Sequence, residues 1–120
     1  MVIIVSDKGA LVTSNAGMRL IAQQTLLNRG DFERLRGFVT ESYAAAALEA
    51  RSAEARLADL QAALAQSGRL RIYQVLAVDK HRVIALMQGQ RDQAFYLTEL
   101  AVEEDYPHRI TEFSHNPLEA

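Results

Sequence analysis

The spacing of the hydrophobic residues changes once along this 120-residue chain, at Gly68. Before Gly68, apolar residues recur at intervals of three and four, which is typical of helices with one buried face. After Gly68, apolar residues form alternations and runs of the length of β-strands. Because helices come first and strands follow, we predict an α+β fold in which N-terminal helices pack on one face of an antiparallel meander of four strands.

Four helices are predicted before Gly68. The first runs from Asn15 to Asn28, with Ser14 or Asn15 as its N-cap and Gly30 as the left-handed residue after its end. Four consecutive alanines, strong helix formers, indicate the third helix. The second, third and fourth helices are predicted at about Phe32–Val39, Glu41–Glu49 and Ala53–Ser67.

Four strands are predicted after Gly68, separated by polar turns. The first turn, Asp79 to His81, makes the first two strands a hairpin. The four strands are predicted at Leu70–Val78, Arg82–Gln90, about Ala94–Glu103 and about Arg109–Ser114.

The N-terminus is predicted to form an additional β-hairpin. Val2 to Val5 and Ala10 to Thr13 flank the turn-forming residues Ser6 to Gly9. An isolated hairpin is marginally stable in water, so it should pair with another part of the fold. We therefore divide the chain into a hairpin extension, residues 1–14, and a single α+β domain, residues 15–120.

Both faces of the predicted sheet carry apolar residues. In the second strand Val83, Ala85 and Met87 point one way, while Ile84 and Leu86 point the other. Helices can cover one face only, and monomeric proteins seldom leave a large apolar patch exposed. We expect a homodimer through the uncovered face, with a partner domain or the N-terminal hairpin as the alternatives.

Composition excludes several classes of protein. The chain has no cysteine, which rules out disulfides, thiolate metal sites and a cysteine nucleophile. With 13 basic and 15 acidic residues interspersed and no tryptophan, no nucleic-acid surface is expected. No segment has the character of a signal peptide or membrane span, so we expect a soluble, cytoplasmic protein without membrane contact.

Three short phrases resemble a known family. They are Leu27–Phe32 (LNRGDF), Ser67–Ile72 (SGRLRI) and Pro107–Thr111 (PHRIT). Together with the order of helices and strands over Asn15–His115, they resemble the nuclear transport factor 2-like superfamily, also called SnoaL-like or ketosteroid isomerase-like. More specifically, they resemble the small domain that precedes serine hydrolase domains in bacterial chains. The resemblance implies that the four-stranded meander is curved and cone-like, and that the chain is an accessory or ligand-binding module with a hydrolase partner. The predicted N-terminal hairpin departs from the usual helical start of the family.

Glu99 is the strongest candidate for chemistry. It shares a strand face with Leu97 and Ala101, and an acid in an apolar cone would suit proton transfer. The resemblance to ketosteroid isomerase suggests Tyr73 or Tyr96 as the acid beside it. The alternative is that Glu99 pairs across strands with Arg71 or Arg82 at the sheet surface. The predicted ligand-pocket residues are Tyr43, Tyr73, Gln74, Met87, Tyr96 and Glu99.

No metal or cofactor site is expected. His81, His108 and His115 lack the helical i,i+4 spacing of metal ligands and are interpreted as surface or corner residues. The serines lack the context of a catalytic nucleophile. We therefore predict a homodimeric, non-catalytic module for binding a small apolar molecule or for assembly. The alternative is an isomerase or hydratase that uses an acid and a tyrosine in the cone.

Overall fold

The computed structural model of the chain describes residues 8–118. In this part of the chain, helices precede a four-stranded antiparallel sheet, which confirms the α+β prediction. No described helix is long and apolar enough to cross a bilayer. A 3-10 helix spans Lys8–Thr13, and the α-helices are α1 (Asn15–Arg29), α2 (Phe32–Ser42), α3 (Ala45–Ala50) and α4 (Ala53–Ser67).

Local capping sets the ends of α1 as the sequence predicts. The Ser14 hydroxyl accepts a hydrogen bond from the Gly17 N–H at 3.0 Å, so Ser14 is the N-cap. Gly30 follows the helix in the left-handed conformation, with φ of 70°, and its N–H donates to the Leu26 and Leu27 carbonyls.

The predicted start of the third helix is wrong. α2 continues to Ser42, and the chain is then extended at Tyr43 and Ala44 before α3 begins. Tyr43 forms an isolated bridge with Ile110, and the Ala44 N–H donates to the Ile110 carbonyl at 2.8 Å. These contacts with the last strand outweigh the helical preference of the alanines, because propensity is a weak force against tertiary pairing.

The predicted N-terminal hairpin is not formed as a pair of strands. Its second half, Ala10 to Thr13, belongs to the 3-10 helix, whereas Val2 to Val5 lie outside the described residues. Leu11 is 1% exposed and packs beside Gly17 of α1. Burial of Leu11 against a helix explains why this segment does not extend as a strand.

The sheet is an open meander in the order β1-β2-β3-β4. Two irregularities interrupt the pairing of β1 with β2, between Ile72 and Gln74 and between Val75 and Ala77. The strands are β1 (Leu70–Val78), β2 (Arg82–Gly89), β3 (Phe95–Val102) and β4 (Ile110–Pro117).

The two faces of the sheet differ in burial. On the inner face, covered by the helices, Val83, Ala85 and Leu100 are fully buried. On the outer face, Tyr73 is 48% exposed and Leu97 36% exposed. The prediction that both faces carry apolar side chains is therefore confirmed, and the described residues leave the outer face partly open.

Candidate functional site

A cleft of about 390 Å³ lies between α4 and the inner face of β3 and β4. Leu60 and Ala63 of α4 form one wall, while Tyr96 of β3 and Phe113 and His115 of β4 form the other. Its volume falls in the range of small-molecule sites, about 300–1,000 Å³, and aromatic and apolar side chains dominate its walls as they do in such sites.

Strand register brings Tyr96, Thr98 and His115 together, of which Tyr96 and His115 line the cleft and Thr98 is buried. Thr98 lies directly opposite His115 in the β3–β4 pairing. The Tyr96 and His115 rings stack with centroids 4.7 Å apart and planes 12° from parallel. Nδ1 of His115 lies 2.7 Å from the Thr98 hydroxyl oxygen. The ring is therefore fixed in position on one face and at one nitrogen.

The other ring nitrogen of His115, Nε2, is buried and has no hydrogen-bond partner among the described residues. The Thr98 hydroxyl has no other acceptor there, so we assign it as the donor to Nδ1, which leaves the ring proton on Nε2. Burial lowers the pKa of His115, which favours this neutral form. The cleft wall thus contains a buried imidazole nitrogen without a hydrogen-bond partner among the described residues, and in the assigned tautomer this nitrogen is a donor.

Acidification should destabilise the chain through His115. Because the folded pKa lies below its ordinary value of 6.5, the unfolded chain takes up the proton first. The contribution of neutral His115 to the free energy of unfolding is complete above pH 6.5. It falls as the pH drops below this value, with a slope of at most about 1.4 kcal/mol per pH unit. Urea unfolding at pH 7.5 and pH 5 should show this loss.

The matched variant for that measurement is His115→Gln, which keeps a side-chain hydrogen-bonding group but does not titrate. Its stability should fall less than that of the native chain between the two pH values. Hydrogen bonds lower the pKa of Asp59 and of Asp92. The stabilisation that these two carboxylates give the fold is therefore lost only below pH 5, outside the range of the measurement. An equal loss in both proteins would show that His115 is not responsible.

Tyr43 closes the inner end of the cleft. Its hydroxyl donates to Oε1 of the buried Gln23 at 2.7 Å, and its burial raises the pKa far above the usual range of tyrosine. The Arg56 guanidinium lies 4.9 Å from the centre of the Tyr43 ring, in a cation–π contact. Arg56 also donates to the Ala47 and Arg51 carbonyls, so its head group has a defined place.

An ion pair lies at the exposed edge of the cleft. Arg51 donates to both carboxylate oxygens of Asp59, at 2.6 and 2.7 Å, in a bidentate arrangement. Hydrogen bonding from Arg51 lowers the pKa of Asp59, so this carboxylate is ionised and already satisfied. Arg56 forms no salt bridge among the described residues and supplies the cleft with one unpaired positive charge.

Tyr96 contacts an acid outside the cleft lining. Its hydroxyl donates to the Asp92 carboxylate in the β2–β3 turn, and this bond, with burial, raises the pKa of Tyr96 to about 12. The same bond lowers the pKa of Asp92. The pair consists of a neutral phenol and an ionised carboxylate.

The predicted site residues are divided between the two faces of the sheet. Tyr43 and Tyr96 line the cleft, whereas Met87 is fully buried in the core behind it. Tyr73 is exposed and contacts Phe95 edge to face, and Gln74 pairs with Leu86, so both belong to the outer face.

Glu99 also lies on the outer face, where Arg82 donates to its carboxylate at 3.0 Å. The cross-strand alternative for Glu99 is therefore confirmed. Tyr96 and Glu99 lie on opposite faces of β3, because they are three positions apart and side chains alternate between the faces of a strand. The structure therefore separates Glu99 from Tyr96. Tyr73 shares the outer face with Glu99, but its ring contacts are with Phe95 and Arg71, whereas Glu99 pairs with Arg82.

The sequence prediction missed His115, which is half-buried in the cleft wall rather than free at the surface or at a corner. The predicted β4 ended at Ser114, although Phe113, His115 and Pro117 alternate along the observed strand and line the cleft together. The alternation of Phe113, His115 and Pro117 with polar residues was the sequence signal that could have extended the predicted strand. His81 and His108, from separate turns, have ring centroids 5.8 Å apart. Within residues 8–118, no three histidine or acidic side chains are grouped as metal ligands.

Comparison with known proteins gives no relative: no family model, curated protein or solved structure matches the chain. The cleft therefore has to be interpreted from its own chemistry.

Proposed function

We propose that this chain is a non-catalytic small-molecule-binding module whose ligand occupies the cleft between α4 and β3–β4. The observation that supports this proposal is the buried Nε2 of His115, which has no partner among the described residues. An unsatisfied buried polar group costs about 1–3 kcal/mol. A ligand acceptor that reaches Nε2 through a small adjustment of the cleft wall would remove this cost.

The cleft favours a ligand with a flat apolar body and one acidic group. Leu60, Phe113 and the stacked Tyr96 ring offer apolar contact, while the Nε2–H of His115 offers a donor. The unpaired charge of Arg56 favours a carboxylate or sulfonate over a neutral or cationic group. Arg51 and Arg56 together outweigh the single carboxylate of Asp59, which leaves these three groups a net charge of 2 − 1 = +1.

The isomerase or hydratase alternative is less well supported. It requires an acid and a tyrosine facing one cavity, yet Glu99 pairs with Arg82 on the other side of the sheet. Asp92 contacts the Tyr96 hydroxyl from a surface turn outside the cleft lining, so this carboxylate does not face the cleft as the base that the alternative requires. Binding without turnover fits the residues that line the cleft.

Membership of the nuclear transport factor 2-like superfamily belongs to the same proposal. The order of four helices followed by a meander, with a cleft on the helical side of the sheet, supports it. The cone-like closure of the sheet and the hydrolase partner that the resemblance implies stay predictions.

A fluorescence titration with 1-anilinonaphthalene-8-sulfonate, an aromatic anion, tests the proposal. We expect saturable binding with one site per chain. Ala63→Trp, which fills the cleft from α4, should raise the dissociation constant by at least about ten-fold, equivalent to about 1.4 kcal/mol. Ala63→Leu should have an intermediate effect.

Ala58→Trp is the matched control, since Ala58 is exposed on the same helix and does not line the cleft. It should leave the dissociation constant within about two-fold of the native value, a difference of less than about 0.5 kcal/mol. The absence of saturable binding by the native chain, or equal affinity in the Ala63 and Ala58 variants, would contradict the proposal.

A further inference from the structure

Two histidines from different turns of the sheet lie side by side. His81 is in the turn between β1 and β2, His108 is in the loop between β3 and β4, and their ring centroids are 5.8 Å apart. Both residues are partly buried. Neither lines the cleft, so the pair is separate from the proposed ligand site.

The ring of His108 is held in a tautomer that leaves one nitrogen free. Its Nδ1 lies 3.0 Å from the carbonyl oxygen of Glu103. Because a carbonyl oxygen only accepts, we assign the ring proton to Nδ1, which leaves the lone pair of the neutral ring on Nε2. Histidines that bind metals almost always donate their other ring N–H to a carbonyl or carboxylate in this way. Nε2 of His108 therefore has the form of a metal ligand.

His81 provides a second free imidazole. Its ring contacts His108, and neither of its ring nitrogens has a hydrogen-bond partner among residues 8–118. Its backbone is held on both sides, because its N–H donates to Oδ1 of Asp79 at 2.8 Å and its carbonyl accepts from the Val102 N–H at 2.9 Å. The side chain of His81 is thus anchored at the end of β3, where the loop that carries His108 begins.

The loop that carries His108 is held in an uncommon conformation. The φ angle of His108 is 57°, in the left-handed region that few residues other than glycine adopt. Arg19 of α1 fixes the loop by donating to the Pro107 carbonyl at 2.8 Å and to the His108 carbonyl at 3.2 Å. Such conformations persist only where the surrounding structure enforces them, and they cluster at functional sites. The loop is therefore preorganised with His108 beside His81.

The separation of the two rings matches coordination of one metal ion. With metal–nitrogen bonds of about 2.0–2.1 Å, imidazoles that share an ion have centroids about 5.2 Å apart at a tetrahedral angle and about 6.4 Å apart when they lie opposite each other. The observed 5.8 Å lies between these limits. In the part of the chain that the structure describes, no third histidine or acidic side chain is grouped with the pair, so water has to complete the coordination.

We propose that His81 and His108 bind one divalent transition-metal ion, with water in the remaining positions. Imidazole suits Cu²⁺, Ni²⁺ and Zn²⁺, whereas Mg²⁺ and Ca²⁺ prefer oxygen ligands. The lack of helical i,i+4 spacing does not count against this site, because strand pairing brings the two histidines together. The bound ion links two turns of the sheet and stabilises the fold, independently of any ligand in the cleft.

Titration calorimetry with Zn²⁺ on the chain without a polyhistidine tag tests the proposal. We expect one ion per chain at neutral pH, and no measurable binding of Mg²⁺ at the same concentrations. His81→Gln and His108→Gln remove one imidazole each. Either substitution should raise the dissociation constant of Zn²⁺ by at least about ten-fold, equivalent to about 1.4 kcal/mol.

Lys80→Gln is the matched control, because Lys80 is exposed next to His81 and is not a metal ligand. It should leave the dissociation constant within about two-fold of the native value. Circular dichroism of each variant checks that the fold is kept.

Imidazole NMR of the native chain gives a second test that requires no variant. Saturation with Zn²⁺ should shift the ring nitrogen resonances of His81 and His108 together, while those of His115 stay in place. The proposal would be overturned by a native chain that binds no Zn²⁺ at about 1 mM, or that binds several ions without defined stoichiometry. Native affinity in either histidine variant, or shifts confined to His115, would also overturn it.

Discussion

Replacement of Leu100 by alanine is expected to lower the free energy of unfolding by about 2–5 kcal/mol. Leu100 is fully buried on the inner face of β3, in the core cluster that also contains Val83. Truncation removes its apolar contacts and leaves a cavity that the surrounding side chains fill only in part. Urea unfolding followed by circular dichroism measures the effect, which should not depend on protein concentration.

Leu97→Ala is the matched control, since it makes the same chemical change on the opposite face of the same strand. Leu97 is 36% exposed, so its loss should cost no more than about 1 kcal/mol in dilute, monomeric protein. A larger loss from Leu97→Ala than from Leu100→Ala in dilute protein would reverse the assignment of inner and outer faces.

Gly17→Ala is expected to destabilise the chain by about 1–3 kcal/mol, although alanine is the better helix former. A Cβ atom on Gly17 would approach the Leu11 Cα to 2.8 Å. Because the obstacle is backbone, the 3-10 helix has to shift away from α1, and the buried Leu11 side chain has to move with it.

Gly37→Ala in α2 is expected to stabilise the chain, in contrast to Gly17→Ala. A Cβ atom there has no neighbour within 4 Å, so the lower entropy of the unfolded chain should dominate. We expect a gain of about 0.5–1 kcal/mol. Thermal unfolding of the two variants should therefore shift in opposite directions, and a stabilising Gly17→Ala would show that Leu11 does not pack against α1.

Features with local causes could be predicted from the sequence. Ser14 and Gly30 bound α1 through their own hydrogen bonding and backbone conformation, so the ends of this helix were predicted almost to the residue. The boundaries of β1, β2 and β3 followed from apolar spacing and polar turns for the same reason, whereas β4 extends three residues beyond its predicted end at Ser114. The break at Tyr43 could not be predicted, since it depends on pairing with Ile110, 67 residues later in the chain.

The candidate site depends still more on distant pairing. Alternation along β3 placed Glu99 on one face but did not show which face the helices cover. Only the packed structure distinguishes the inner cleft from the outer ion pair with Arg82. His115 becomes part of the cleft because β3 and β4 pair in the register that puts Thr98 opposite it.

The most direct test of the binding site is methyl NMR during titration with 1-anilinonaphthalene-8-sulfonate. Leu60 lines the cleft, whereas Leu97 lies on the outer face, so one leucine-labelled sample observes both surfaces. Binding in the cleft predicts saturable shifts of the Leu60 methyl groups while those of Leu97 stay in place. Shifts confined to Leu97 would contradict the account and place the ligand on the opposite side of the sheet.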